Sequence, residues 1–194
     1  MKLKINFLFI ILLVLGVVAC NQQSKSAYEK QRSLEYIDSL QNDLAQIKYK
    51  LDEIDFEEIA HRKQYIISML DSFQNMDKPQ QIDGELKQIL IDYQGFAMMY
   101  DNLDHHIESI VKEAEELLIQ LHTLRQSVED GDYGKQDFKL YLSEVSNGIS
   151  ELQELSSKYL DPVIDSEAMF LKRMERFEEV VHNIRTNGGA PPVQ

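Results

Sequence analysis

Two hexapeptides repeat one order of residue types: Phe56-Glu57-Glu58-Ile59-Ala60-His61 and Phe177-Glu178-Glu179-Val180-Val181-His182. Each contains Glu-x-x-His. On a helix, residues three apart share a face, so each hexapeptide offers a carboxylate beside an imidazole. Those groups ligate zinc and other transition metals. A second histidine-rich stretch, His105-His106, lies beside Asp101, Asp104 and Glu108, with His122 further along. Adjacent helical residues point about 100° apart, so His105 and His106 are poorly placed to hold one ion. The one thiol is Cys20, which follows Val17, Val18 and Ala19. With a single cysteine there is no internal disulfide.

Paired Glu-x-x-His units resemble part of the ligand set of ferritin-like di-iron bundles, which also need one glutamate from each of two further helices. The phase of the apolar pattern opposes that reading. If Phe177 and Val181 point into a core, Glu179 and His182 fall on the outer face. The stretch from Leu86 to Val128 carries no carboxylate at any core position. No metal site is therefore expected, and a solvated polar face is the reading for His105 and His106. The chain also lacks a Gly-rich phosphate loop, a zincin motif and a Gly-x-Ser-x-Gly elbow, so the expectation is a protein that is not an enzyme.

The elements that would position these residues are long helices. Apolar residues recur at Ile37, Leu40, Leu44, Ile47, Leu51 and Ile54, then in shifted phase at Ile59, Ile66, Met69 and Phe73. This reads as a first helix with a stutter near residues 55–59, opened by a capping-box pattern at Ser26-Ala27-Tyr28-Glu29. Residues 74–81 read as a turn, because Pro79 cannot continue a helix, with Asp83 as a cap for the next one. Steps of three and four then alternate through Leu86, Ile89, Tyr93, Phe96, Tyr100, Leu103, Ile107, Ile110, Ala114, Leu117, Leu121, Leu124 and Val128. Such a stripe predicts left-handed knobs-into-holes packing. Flanking Leu90, Ile91, Met98, Met99, Val111, Leu118 and Ile119 widen it beyond a two-helix seam and predict a bundle of three or more helices.

After a two-glycine turn at Glu129-Asp130-Gly131-Asp132-Tyr133-Gly134, the stripe resumes at Phe138, Leu142, Val145, Ile149 and Leu152. It continues through Ser156, Tyr159, Val163 and Ser166 to Phe170, Met174, Phe177, Val181 and Ile184. The fold class expected is all-α: an elongated antiparallel helical bundle with coiled-coil-like seams. Its three long helices would have the third kinked at Pro162, with legs of about 70 to 80 Å at 1.5 Å per residue. The alternative is four helices, since Asp161-Pro162 also has the form of a helix start.

Lys2 and Lys4 precede a mostly apolar run from Ile5 to Val18, and small residues lead into Cys20. That arrangement resembles the lipobox signal of bacterial lipoproteins, with Val17 where the pattern more often has Leu. The resemblance covers residues 1–20 alone. It implies cleavage before Cys20, a diacylglycerol on the Cys20 sulfur as lipid attachment, and an acyl chain on the new amine. Asn21 in place of aspartate leans the address toward the outer membrane, facing the periplasm. The domain reading is then 1–19 signal peptide, 20–25 lipidated cysteine and short tether, 26–187 helical bundle and 188–194 disordered tail.

Of 20 basic residues, Lys2 and Lys4 would leave with the signal segment, so 18 would face 33 acidic ones and the formal charge would move from −13 to −15. Such a surface opposes nucleic-acid binding. Together these features predict a lipid-anchored cell-envelope protein that works as a non-enzymatic helical interaction or scaffold module. Its partners would be the membrane, through the anchor, and a protein in the envelope, with a homo-oligomer as a further possibility. The alternative is an acidic lipoprotein that binds metal or small cationic ligands. No cofactor is expected beyond the covalent lipid.

Overall fold

The computed structural model describes the backbone of residues 2–74 and 84–186, and side chains within 27–71 and 84–180 apart from Glu85. Every element among these residues is helical: α1 (Lys2–Glu53), α2 (Phe56–Gln74), α3 (Gly84–Glu129), a 3-10 turn (Asp132–Gly134), α4 (Gln136–Tyr159) and α5 (Asp161–Thr186). The protein is an all-α bundle. Gln74, the first residue of the turn expected at 74–81, closes α2, and the rest of that turn, the Asp83 cap and the tail at 188–194 lie outside the described residues. α1 runs on through residues 21–26, where the sequence places a tether and a helix start at Ser26.

Two compact units make up the chain. The first comprises Met1–Ala45 and Glu115–Ser150. Its core joins Ile37, Leu40 and Leu44 of α1 to Leu117, Leu121, Leu124 and Val128 of α3 and to Phe138, Val145 and Ile149 of α4, all buried. α1 and α3 run antiparallel: Lys30 Nζ reaches the Glu129 carbonyl at 3.5 Å, and Arg125 pairs with Asp38 and donates to Gln41 Oε1 at 3.2 Å. Tyr36 and Ser146 share a hydrogen bond of 2.7 Å that ties α1 to α4. α3 and α4 approach closely at Gly148, where a Cβ would stand 3.0 Å from Leu117 Cδ2. Between them, Gly131 adopts φ 90°, the left-handed geometry that ends many helices, and its N–H donates to the Val128 carbonyl at 3.2 Å.

The second unit comprises Gln46–Ala114 and Glu151–Gln194. Here the first leg breaks at Ile54-Asp55. The cause is a cap: Asp55 Oδ1 accepts the Glu58 N–H at 2.9 Å, and Glu57 and Glu58 sit in the first turn of α2, where carboxylates meet the positive end of the helix dipole. The expected stutter is thus a full helix restart. The third leg breaks at Leu160, whose carbonyl accepts the N–H groups of Val163 and Ile164, both at 3.0 Å. Pro162 stands in the first turn of α5, where its missing N–H costs nothing.

This break is a kink, not a hairpin. Along α3, contacts fall steadily from His106 to Tyr100, Phe96 and Tyr93, while their partners rise from Tyr159 to Phe170 and Phe177. α5 therefore continues the track of α4 beside α3, so the four-helix fold-back is not formed. The two interruptions also lie at one level, since Lys50 Nζ and Asp161 Oδ1 pair at 2.6 Å.

Burial follows the predicted stripes with particular departures. Twelve of the thirteen α3 stripe residues are buried, and Ile107 is half-buried. Leu160 is fully buried where the sequence pattern places Tyr159, which is only half-buried. Of the flanks expected to widen the α3 stripe, Leu90 and Met99 are half-buried, whereas Ile91, Met98, Val111, Leu118 and Ile119 turn outward, at 48, 68, 38, 43 and 67% exposed. In heptad terms Ile91, Met98 and Ile119 occupy the position opposite the seam.

Candidate functional site

Several of the residues singled out for metal chemistry are engaged in other pairings. Glu58 accepts from Arg62 Nε at 2.9 Å, while His61 is exposed. Arg62 Nη1 and Nη2 hold Glu167 Oε2 and Oε1 at 2.6 and 2.9 Å, a two-pronged pair. The same guanidinium lies 5.0 Å from the centre of the Phe170 ring. The Glu167 hydrogen bond holds the Arg62 pKa above its usual value, against the opposing effect of burial, and Arg62 in turn holds the Glu167 carboxyl below its usual range. In the second hexapeptide Glu179 pairs with Arg176, and the His182 side chain lies outside the described residues.

His105 approaches Asp101 at 3.5 Å, and His106 stacks on Tyr159 with ring centres 3.9 Å apart. Lys63 takes both nearby aspartates, Asp101 at 3.0 Å and Asp104 at 2.5 Å, which holds the Asp101 carboxyl below its usual range. His122 is exposed. Among the described residues, no group of three or more His, Cys, Asp or Glu side chains is placed to hold a metal ion. The Cys20 side chain lies outside the described residues.

Around Arg62, the second unit packs an aromatic cluster. Phe170 meets Phe96 edge-on at 5.4 Å between ring centres and lies 6.3 Å from both Tyr93 and Tyr100. Phe177 lies 5.4 Å from Tyr93. Tilted and edge-on contacts of this kind add about 0.5 to 1.5 kcal/mol beyond area burial. The Tyr93 hydroxyl is fully buried and has no hydrogen-bond partner among the described residues. Burial pushes its pKa upward, so it stays neutral.

The first unit holds a concave feature that no sequence pattern marked. Glu29, Arg32, Ser33 and Tyr36 occupy helical offsets of zero, three, four and seven, so α1 presents them on one face. The 3-10 turn supplies Tyr133, and the first turns of α4 supply Phe138, Lys139 and Leu142. Together they line an open groove of about 460 Å³. Its geometry descends from Gly131, which reverses the chain, and from Asp132, whose carbonyl accepts the Lys135 N–H at 3.0 Å. Phe138 is buried at the floor, Tyr36 is oriented by Ser146, and Glu29, Arg32 and Lys139 are exposed at the rim.

No family model, curated protein or solved structure matches this chain.

The groove assembles from three elements that only the fold brings together. The signal available beforehand was local: Glu29, Arg32, Ser33 and Tyr36 share a face that is polar apart from one aromatic ring. Among the described residues, no helix is long and apolar enough to cross a membrane.

Proposed function

We propose that this protein is a lipid-anchored envelope lipoprotein that acts by binding, as a helical interaction or scaffold module, and carries no catalytic centre. The observation that carries the proposal is the succession of residue types at the N-terminal end of the sequence: Lys2 and Lys4, the apolar run Ile5 to Val18, and Ala19 before the sole cysteine, Cys20. Two or three acyl chains, each contributing about 0.8 kcal/mol per buried methylene, would anchor the chain stably.

The binding part of the proposal draws on side chains that the structure describes. Glu58 and Glu167 are committed to Arg62, and Asp101 and Asp104 to Lys63. Carboxylates locked to cations are poorly suited to proton transfer or to ligating a metal. On the outer side of α3 in the second unit, meanwhile, Ile91 and Met98 are exposed apolar side chains one heptad apart that another protein would cover.

The deciding experiment is intact-mass and peptide mass spectrometry of the protein from bacterial membranes, beside Cys20→Ser. Expected is an N-terminal peptide beginning at Cys20 with diacylglycerol on sulfur, and loss of both processing and membrane retention in the variant. An unmodified Cys20, or an N-terminus elsewhere, overturns the anchor. In-cell crosslinking of the same pair then tests the module, with a reproducible envelope partner that depends on Cys20 as the expected result.

A further inference from the structure

The groove of the first unit has three chemical features: cations, a carboxylate and an apolar floor. Arg32 and Lys139 are exposed at its rim, and neither has an ion-pair partner among the described residues. Lys48, Lys87, Lys158 and Lys172 likewise lack an ion-pair partner among the described residues, but of these six cations Arg32 and Lys139 are the two that line the groove. Glu29 stands on the same rim. Below them Phe138 and Leu142 are apolar, and Tyr36 and Tyr133 add rings with polar tips. Two cations call for an anion such as a phosphate. A carboxylate beside them calls for a cationic group on the same ligand, and an apolar floor calls for hydrocarbon.

We infer that this groove binds the zwitterionic headgroup of a phosphoethanolamine-type phospholipid. Arg32 and Lys139 would hold the phosphate, Glu29 the ammonium, and the floor the glycerol backbone and first methylenes. A free phosphate satisfies only the first of these, and an anionic headgroup leaves Glu29 facing like charge. Tyrosines with an apolar body and a polar tip suit the boundary between headgroup and hydrocarbon.

Position supports the same occupant, and here the inference rests on the anchor reading. Glu29 follows Cys20 by nine residues. That separation is about 14 Å along a helix and about 30 Å if extended, so an anchored Cys20 keeps the groove near the headgroup layer.

The test uses the full chain purified in a non-ionic detergent and titrated calorimetrically with dihexanoyl-phosphatidylethanolamine, dihexanoyl-phosphatidylglycerol, O-phosphoethanolamine and inorganic phosphate. Expected is saturable binding of the ethanolamine lipid, at least tenfold tighter than any of the other three. Arg32→Gln with Lys139→Gln should weaken it at least tenfold. Glu29→Gln should erase the preference over phosphatidylglycerol. All three residues are exposed, so the variants should keep the wild-type helical circular dichroism. Equal affinity for inorganic phosphate, unchanged binding in the double variant, or no saturable binding would overturn the inference. The mass of Cys20 is read on the same preparation. Lipidated protein that ignores the headgroup refutes the groove alone, whereas unlipidated protein that binds it refutes the anchor alone.

Discussion

Replacing Arg62 should reveal how much of the second unit rests on one cation. Its side chain is 11% exposed, whereas Glu58 and Glu167 are each about half exposed. When Arg62→Ala removes the cation, both carboxylates can turn to water, so the cost of orphaning a buried charge does not arise. What is lost is the two-pronged pair, the contact with the Phe170 ring and the packing of the aliphatic stem. These come to about 1 kcal/mol each, so the expected loss is about 2 to 3 kcal/mol. Chemical denaturation followed by circular dichroism measures it, and thermal melting should show a fall of roughly 4 to 10 °C for a chain of this size. Arg62→Met keeps the stem over Phe170 and should recover about 1 kcal/mol, whereas Arg62→Lys cannot reproduce the fork. A double-mutant cycle with Glu167→Gln should return a coupling of about 1 kcal/mol. The pH dependence has a definite sign. Arg62 depresses the folded pKa of Glu167, so the contribution of the pair is present above the ordinary glutamate value of 4.5 and is lost as pH falls through the lower folded value. Wild type should therefore lose more stability than Arg62→Met on acidification below that value. A loss under about 0.5 kcal/mol for Arg62→Ala, or a Met variant as weak as the Ala variant, would refute this reasoning.

Three further expectations follow from packing. Phe170→Ala empties the centre of the aromatic cluster and should cost about 3 to 5 kcal/mol in a denaturant titration. Tyr93→Phe deletes a buried hydroxyl that has no partner among the described residues, so it should be neutral or stabilising by up to about 1 kcal/mol, where an ordinary satisfied tyrosine would lose that amount. Gly148→Val forces a branched side chain against Leu117 and should destabilise by about 1 to 3 kcal/mol. Gly148→Ala should come out near zero in the same melts, because a helix-propensity gain of about 1 kcal/mol offsets the displacement of one flexible leucine methyl.

The α3 stripe was legible because no proline or cap interrupts it, so a single period carries through and burial obeys it at every position but Ile107. The breaks were harder. Asp55 with Glu58 three residues later has the form of a capping box, yet the apolar rhythm resumes so soon that it passes for a stutter. At the second break, a helix extrapolated through Asp161-Pro162 puts Tyr159 in the core. The real kink brings in Leu160, and Tyr159 slides out to stack on His106. The outward turn of Met98 and Ile119 was not readable, because hydrophobicity alone does not tell which side of a wide stripe faces a neighbour. Nor was the groove, whose lining comes from residues about a hundred positions apart. Cys20 and the run before it, by contrast, are read entirely from sequence.

The level at which α1 gives way to α2 and α4 to α5 sets a rule for how this chain can change. A straight helix drifts by about 20° per heptad against a strict seven-residue repeat, and a long uninterrupted pair must supercoil to absorb it. Restarting two legs beside an unbroken α3 resets their phase instead. The two restarts are matched in register, with Lys50 bound to Asp161 and Arg62 to Glu167. An insertion at one of them alone would rotate and shift every pair beyond it. Length variation in this unit should therefore be tolerated only when both legs change together, so that two segments about a hundred residues apart behave as a single unit of inheritance.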